Sequence, residues 1–215
     1  MATRTVPLTQ PVLSTELRTQ ILGQDVRRQV GLFGGTFNPI HTGHLVMADQ
    51  VGHQLGLDKV CFMPDATPPH VDTKGAIDAK YRVEMLAAAI AGNPLFDLEL
   101  CEIERGGVSY TYDTMVALKR QHPDTDYYFI IGADMVNYLP KWYRIDELVK
   151  LVQFVGVKRP GYTPKSAYPV LWVDAPMLEI TSTAIRERIA AGESVRYLVP
   201  DAVAAYIKKE GLYRD

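Results

Sequence analysis

The 215-residue sequence holds only two cysteines. Cys61 and Cys101 have no Cys or His companions at metal-ligand spacing and are too few for a disulfide framework. Both lie in apolar, strand-like runs, so a reduced, buried, structural thiol is expected at each. An excess of one charge is lacking as well: 23 basic against 25 acidic side chains leave a net charge of -2. No global basic field points to a nucleic-acid partner, and no basic amphipathic stretch points to a membrane surface. No apolar run reaches the roughly 18 residues of a membrane span, and no continuous apolar run follows the first charges as in an export signal. A cytoplasmic protein is expected.

Two common phosphate-loop signatures are also missing. Neither Gly-x-Gly-x-x-Gly nor Gly-x-x-x-x-Gly-Lys-Ser/Thr occurs. A third arrangement stands in their place between Gln29 and Met47. Val30, Leu32 and Phe33 predict a short buried strand, Gly34 and Gly35 a tight turn, and Gly43 to Leu55 a helix. A strand, a glycine turn and a helix start together favour an anion, because exposed backbone N–H groups and the positive end of the helix act on the same point. His41-Thr42-Gly43-His44 lies in that turn, and a spacing of three puts both imidazoles on one side as the helix begins. Gly43 between them would let a bulky ligand approach the backbone. The pair reads as a cationic or hydrogen-bonding contact for phosphate.

The remaining chain is ordinary globular sequence, 47% hydrophobic and 22% charged. At this size about 70% of the unfolded surface is removed from water on folding, enough for one sizeable core. Strands are expected near residues 30, 60, 97, 128, 153 and 171, alternating with helices over Asp78 to Ala91, Tyr112 to Gln121, the segment after Thr181, and Asp201 to Glu210. No repeat or linker divides residues 29–215, so the expectation is one doubly wound α/β domain with a parallel sheet. Residues 1–28 form an N-terminal extension, with Leu13, Leu17, Ile21 and Leu22 spaced for a short amphipathic helix over Thr15 to Leu22.

Further candidates sit at strand ends and helix starts, where such sheets place ligands. Two prolines stiffen the loop that carries His70, with Lys74 beyond it. Arg82 is the odd charge on an apolar helix face, and either snorkels or reaches a phosphate-rich cleft. Asp134, just past the strand that ends at Gly132, suits ribose hydroxyls. Lys158-Arg159 makes another basic strand end. Ser182, Thr183 and Arg186 open a helix with hydroxyls and a guanidinium, which suits the outer phosphates of a nucleotide and equally suits a capped amphipathic helix. Neither cysteine lies near these motifs and no Ser-His-Asp order is apparent, so no covalent nucleophile is expected.

The run from Gly34 to His44, Gly-Gly-Thr-Phe-Asn-Pro-Ile-His-Thr-Gly-His, resembles the signature of the nucleotidylyltransferase superfamily. Ser109-Tyr110-Thr111-Tyr112-Asp113-Thr114, Gly132-Ala133-Asp134, Lys141-Trp142-Tyr143 and Thr181-Ser182-Thr183-Ala184-Ile185-Arg186 narrow that resemblance to the bacterial nicotinate-nucleotide adenylyltransferases over nearly all of residues 29–215. It implies a Rossmann-like fold and transfer of the AMP part of ATP to nicotinic acid mononucleotide, with Mg²⁺ arriving with ATP. His41, His44 and Arg186 would be catalytic. ATP would meet Gly34, Gly35, Thr36, Phe37, His41, His44, Gly132, Asp134, Ser182, Thr183 and Arg186. The mononucleotide would meet Thr36, His70, Lys74, Arg82, Tyr110, Thr111, Trp142, Tyr143 and Arg159, with Trp142 stacked on the pyridine ring. Two departures stand out, Asn38 where many members have Asp and Val71 for a lysine. They keep open a non-enzymatic nucleotide-binding reading; phosphopantetheine adenylyltransferases share the histidine motif but lack the Lys141-Trp142-Tyr143 segment. No resident metal site is expected, and a homo-oligomer is left open.

Overall fold

The computed structural model describes residues 27–67, 76–158, 165–176 and 178–214. Six parallel strands form one sheet: β1 (Arg28–Gly35), β2 (Lys59–Pro64), β3 (Phe96–Leu98), β4 (Thr125–Gly132), β5 (Gln153–Lys158) and β6 (Val170–Asp174). Their order is β3-β2-β1-β4-β5-β6. The chain thus leaves β1 in one direction and returns on its other side at β4, which opens a crevice where the order reverses.

Helices cover both faces because alternate residues of each central strand point to opposite sides. Phe33, Ile130, Val155 and Val157 enter one core, against Ala48 and Val51 of α1 (Thr42–Leu55), Met85 and Leu86 of α2 (Ala79–Ile90), Ile185 of α7 (Ser182–Ala190), and Val203 and Ile207 of α8 (Asp201–Glu210). Val30, Leu32, Phe129, Ile131 and Phe154 enter the other, against Met115 and Leu118 of α4 (Thr111–Gln121), Val136 of α5 (Ala133–Val136), and Ile145 and Leu148 of α6 (Ile145–Leu148). The remaining short helix, α3 (Cys101–Arg105), crosses between β3 and α4. Among the described residues no helix is long and apolar enough to cross a membrane.

Three sequence expectations change. The first strand begins at Arg28, inside the expected extension, and Arg27 already pairs with Asp126 at 2.8 Å. Cys101 opens a helix instead of lying in a strand; burial still pushes both thiols up to about 12, so neither is a ready nucleophile. Gly34 and Gly35 belong to β1, opposite Met63 and Pro64. The expected helix at Thr15 to Leu22 falls outside the described residues.

Candidate active site

The turn after β1 is made by Phe37 and not by the glycines. Phe37 takes the left-handed conformation, φ 48°, a costly one for a bulky side chain. Its ring is buried, packs edge-on to Phe33 and Phe62, and lies over Gly35. A Cβ at Gly35 would stand 3.2 Å from that ring, and one at Gly34 would stand 3.1 Å from Phe129. The glycines therefore make room for two aromatic rings. The side chain of Phe37, expected among the ATP contacts, is instead core and supports the His44 ring edge-on at 5.2 Å.

His41 and His44 stack with ring centroids 3.6 Å apart and planes inclined by 22°. The His41 ring folds over Gly43, where a Cβ would meet His41 Nδ1 at 3.1 Å, so this glycine accommodates the imidazole, not a ligand. The backbone N–H of His41 donates to His44 Nδ1 at 3.3 Å. That bond assigns the tautomer: with Nδ1 accepting, neutral His44 carries its proton on Nε2 and offers a donor there. Burial lowers the pKa of His41 to about 4, while burial and then the neighbouring His41 hold His44 well below 6.5. Near neutral pH the pair is uncharged, which corrects the cationic reading.

Arg82 departs from expectation most clearly. Its side chain is 2% exposed and donates to the carbonyls of Thr36 (2.9 Å), Asp65 (2.8 Å) and Ile77 (3.3 Å), and to Asp65 Oδ1 at 3.3 Å. Thr36 Oγ1 donates to Asp65 Oδ2 at 2.8 Å. One guanidinium thus joins α2, the end of β2 and the turn after β1. Four of its five N–H donors are taken up by the fold.

Beyond the ends of β1, β2 and β4 opens a cavity of about 360 Å³. Gly34, Gly35, Thr36 and His44 line it together with Ser109, Tyr110, Thr111, Trp142 and Tyr143. Trp142 stands edge-on to Phe129 and Phe154, each centroid 5.8 Å away, so it both packs over the sheet and borders the cavity. Tyr110 and Tyr143 are exposed and touch at 4.9 Å. Trp142 Nε1, a buried polar atom on this lining, has no hydrogen-bond partner among the described residues, while the Ser109 hydroxyl faces Glu102 and favours its ionised carboxylate. Tyr110, not Ser109 or Thr111, occupies the N-cap of α4, and no side chain caps that helix start. Its amide end is left for a carboxylate.

The third sequence motif meets the turn from the other flank. Thr181 caps α7 through the Ala184 N–H at 3.1 Å, which leaves the next two hydroxyls for other work. Ser182 Oγ donates to the Pro39 carbonyl at 2.8 Å, Arg186 Nη1 to the Asn38 carbonyl at 2.8 Å, and Arg186 Nη2 to Thr183 Oγ1 at 3.2 Å. The turn before His41 is therefore bonded to a helix more than a hundred residues later in the chain. Arg186, Ser182, Thr183, His41 and Asp134 are not on the cavity lining itself. Asp134 is exposed at the start of α5, with Oδ1 placed 2.7 Å from where a Gly132 Cβ would be. His70, Lys74 and Arg159 lie outside the described residues.

Asp65 and Glu102 escaped the sequence reading, yet both line the cavity. Burial raises the pKa of each. Thr114 Oγ1 donates to Glu102 Oε1 at 2.8 Å and accepts from Arg105 at 2.8 Å. Asp65 carried a readable signal, since it stands directly past β2 as Asp134 stands just past β4. Glu102 carried none.

A doubly wound sheet with a buried and a half-buried histidine stacked at a helix start beside its crevice defines a nucleotide-binding α/β protein. The chain belongs to the cytidylyltransferase-like family, whose model matches residues 32–188. It is 63% identical over 200 residues to the probable nicotinate-nucleotide adenylyltransferase of Lactiplantibacillus plantarum, covering 93% of this chain and 95% of that protein. It is 58% identical over 199 residues to the protein of the same name from Enterococcus faecalis, covering 93% and 91%. Among solved structures, Plasmodium falciparum nicotinic acid mononucleotide adenylyltransferase complexed with APC has the same fold, with a TM-score of 0.73 at 18% identity over 86% of this chain and 97% of that one.

Proposed function

We infer that this chain transfers the AMP part of ATP to nicotinic acid mononucleotide, giving nicotinic acid adenine dinucleotide and pyrophosphate in NAD biosynthesis. The observation that carries this reading is a single cavity lined both by His44 and the turn after β1 and by Trp142, Tyr143 and Thr111 at the uncapped start of α4. Relatives named for this reaction at 58% and 63% identity support it.

The acceptor phosphate has a second pKa of about 6, so near neutral pH it is mostly a dianion and needs no base to attack. Rate then comes from alignment with the α-phosphorus and from stabilising the charge on its oxygens. His44 Nε2–H is assigned to an α-phosphate oxygen in the transition state, and His41 keeps that ring in place by stacking. The donors of Arg186 not spent on Asn38 and Thr183, together with the start of α7, would hold the leaving pyrophosphate. Asp134 would take ribose hydroxyls, and Trp142 with the amides near Thr111 and Tyr143 the nicotinate end. Thr36, Gly34 and Gly35 border the space between the two substrates.

Mg²⁺ would come with ATP, neutralise phosphate charge, and keep most of its waters. Among the described residues no three His, Cys, Asp or Glu side chains are grouped to hold a metal. A cytoplasmic location follows from the reaction, since ATP is supplied there.

Pyrophosphate release with ATP and a panel of acceptors tests the reading. Turnover should be highest with nicotinic acid mononucleotide and at least tenfold lower with its amide, because amide donors reward a carboxylate by roughly 1.5–3 kcal/mol. Equal turnover with both would overturn the acid assignment; turnover only with phosphopantetheine would overturn the reaction.

A further inference from the structure

Past α8 the chain returns to the turn after β1, where Tyr213 meets Asn38. After α8, Gly211 takes a left-handed conformation, φ 67°. Leu212 enters the core and donates its N–H to the Ile207 carbonyl at 3.1 Å. Tyr213 follows, also left-handed at φ 61°, which for an aromatic residue needs a surrounding structure that holds it. Its ring packs against the core, and its hydroxyl donates to Asn38 Oδ1 at 2.8 Å.

Asn38 is 6% exposed and is shared between two distant parts of the chain. Its side-chain oxygen accepts from Tyr213, while its carbonyl accepts from Arg186 at 2.8 Å. Two nearby carbonyls are held too, that of Thr36, two residues before it, by Arg82 at 2.9 Å and that of Pro39, the next residue, by Ser182 at 2.8 Å. Tyr213 is thus the one contact in this set that grips the turn by a side chain. Burial keeps the phenol protonated against the pull of the nearby Arg186 and Arg82 charges, so it stays a donor.

We propose that Tyr213 is a positioning residue for adenylyl transfer: through Asn38 its hydroxyl fixes the turn that presents Arg186 on one side and the His41–His44 stack on the other. This rests on the function proposed above. A hydrogen bond that sets the relative placement of two charge-stabilising groups should act most on the transition state, where both are in use. It should act least on the proposed pyridine contacts, because the ring partners of Trp142 and Tyr143 are Phe129, Phe154, Tyr110 and Tyr112, not Tyr213 or Asn38.

Tyr213→Phe removes one oxygen and keeps the packed ring. In the full-length chain we expect kcat to fall about tenfold and the KM for nicotinic acid mononucleotide to stay within twofold. The rise in thermal midpoint produced by Mg-ATP should also shrink, a readout that needs no turnover. Asn38→Ala should cause a similar fall in kcat, and the double variant should be no slower than either single one, since both break the same link. Asn38→Asp keeps an acceptor and should keep near-normal kcat with Tyr213 but not with Phe at that position, which covers the case in which Asn38→Ala folds poorly. A normal kcat in Tyr213→Phe, independent losses that multiply to about a hundredfold, or an unchanged Mg-ATP shift would each overturn the proposal. Failure of the functional reading shows separately, as a wild-type chain that releases no pyrophosphate with the acid mononucleotide.

Discussion

A single hydrogen bond decides how His44 works. Because the His41 N–H occupies Nδ1 at 3.3 Å, the donor left to neutral His44 for the proposed phosphate contact is Nε2–H, with Phe33 and Phe37 packed on the edges of the ring. Donors fixed in advance in a water-poor site are worth several kcal/mol because nothing must reorganise as charge develops. His44→Ala should lower kcat by two or more decades, about 3 kcal/mol, and single-turnover measurement at saturating substrates checks it. An unchanged rate would remove His44 from the transition state. The motif was legible at this scale because the glycine pair, the histidines and the helix start fall within eleven residues, whereas a lone histidine pair would read as an ordinary turn. Their charge state was not, because it depends on how much water the folded protein leaves around them.

Between elements, the instructive residue is Arg82. An arginine on an apolar helix face could be read as snorkelling or as phosphate-seeking. The structure shows a third use, tying α2 to the carbonyls of Thr36 and Asp65. A buried guanidinium with several carbonyl partners is expensive to remove, because those acceptors lose their donors inside the protein. Arg82→Met should therefore destabilise the fold by about 3 kcal/mol in urea unfolding. A phosphate ligand would behave differently, raising KM with little change in the unfolding midpoint. Sequence spacing placed α2 correctly but could not say which elements pack beside it, and the partner carbonyls come from segments 17 and 46 residues away. Ser109 is a similar case: it stands one residue before Tyr110, which holds the cap position, and its hydroxyl is buried on the cavity lining.

For the whole molecule, the buried histidines couple stability to pH. The pKa of His41 is lowered from 6.5 to about 4 by burial, so below pH 6.5 the unfolded chain binds a proton that the folded chain refuses. Stability from this group is complete above pH 6.5 and is lost as pH falls toward 4, by at most on the order of 3 kcal/mol. Asp65 and Glu102 act with the opposite sign, since their raised pKa values make folding take up protons above the ordinary carboxylate range. The clean comparison is therefore between wild type and His41→Asn. The variant should lose less stability between pH 6.5 and 5, read from urea midpoints. Parallel curves would show that His41 does not supply this dependence.

By itself, the sequence determined the alternation of strands and helices, because residue periodicity reports which faces are apolar. It also determined the family, because the histidine, tryptophan and arginine motifs survive as short local runs. Only the tertiary structure decided that Gly34 and Gly35 make room for Phe129 and Phe37, that Arg82 serves the fold, that the histidines are neutral, and that Tyr213 reaches Asn38. Each of those depends on atoms brought together from distant positions, and on the loss of water between them, which no local pattern of residues encodes.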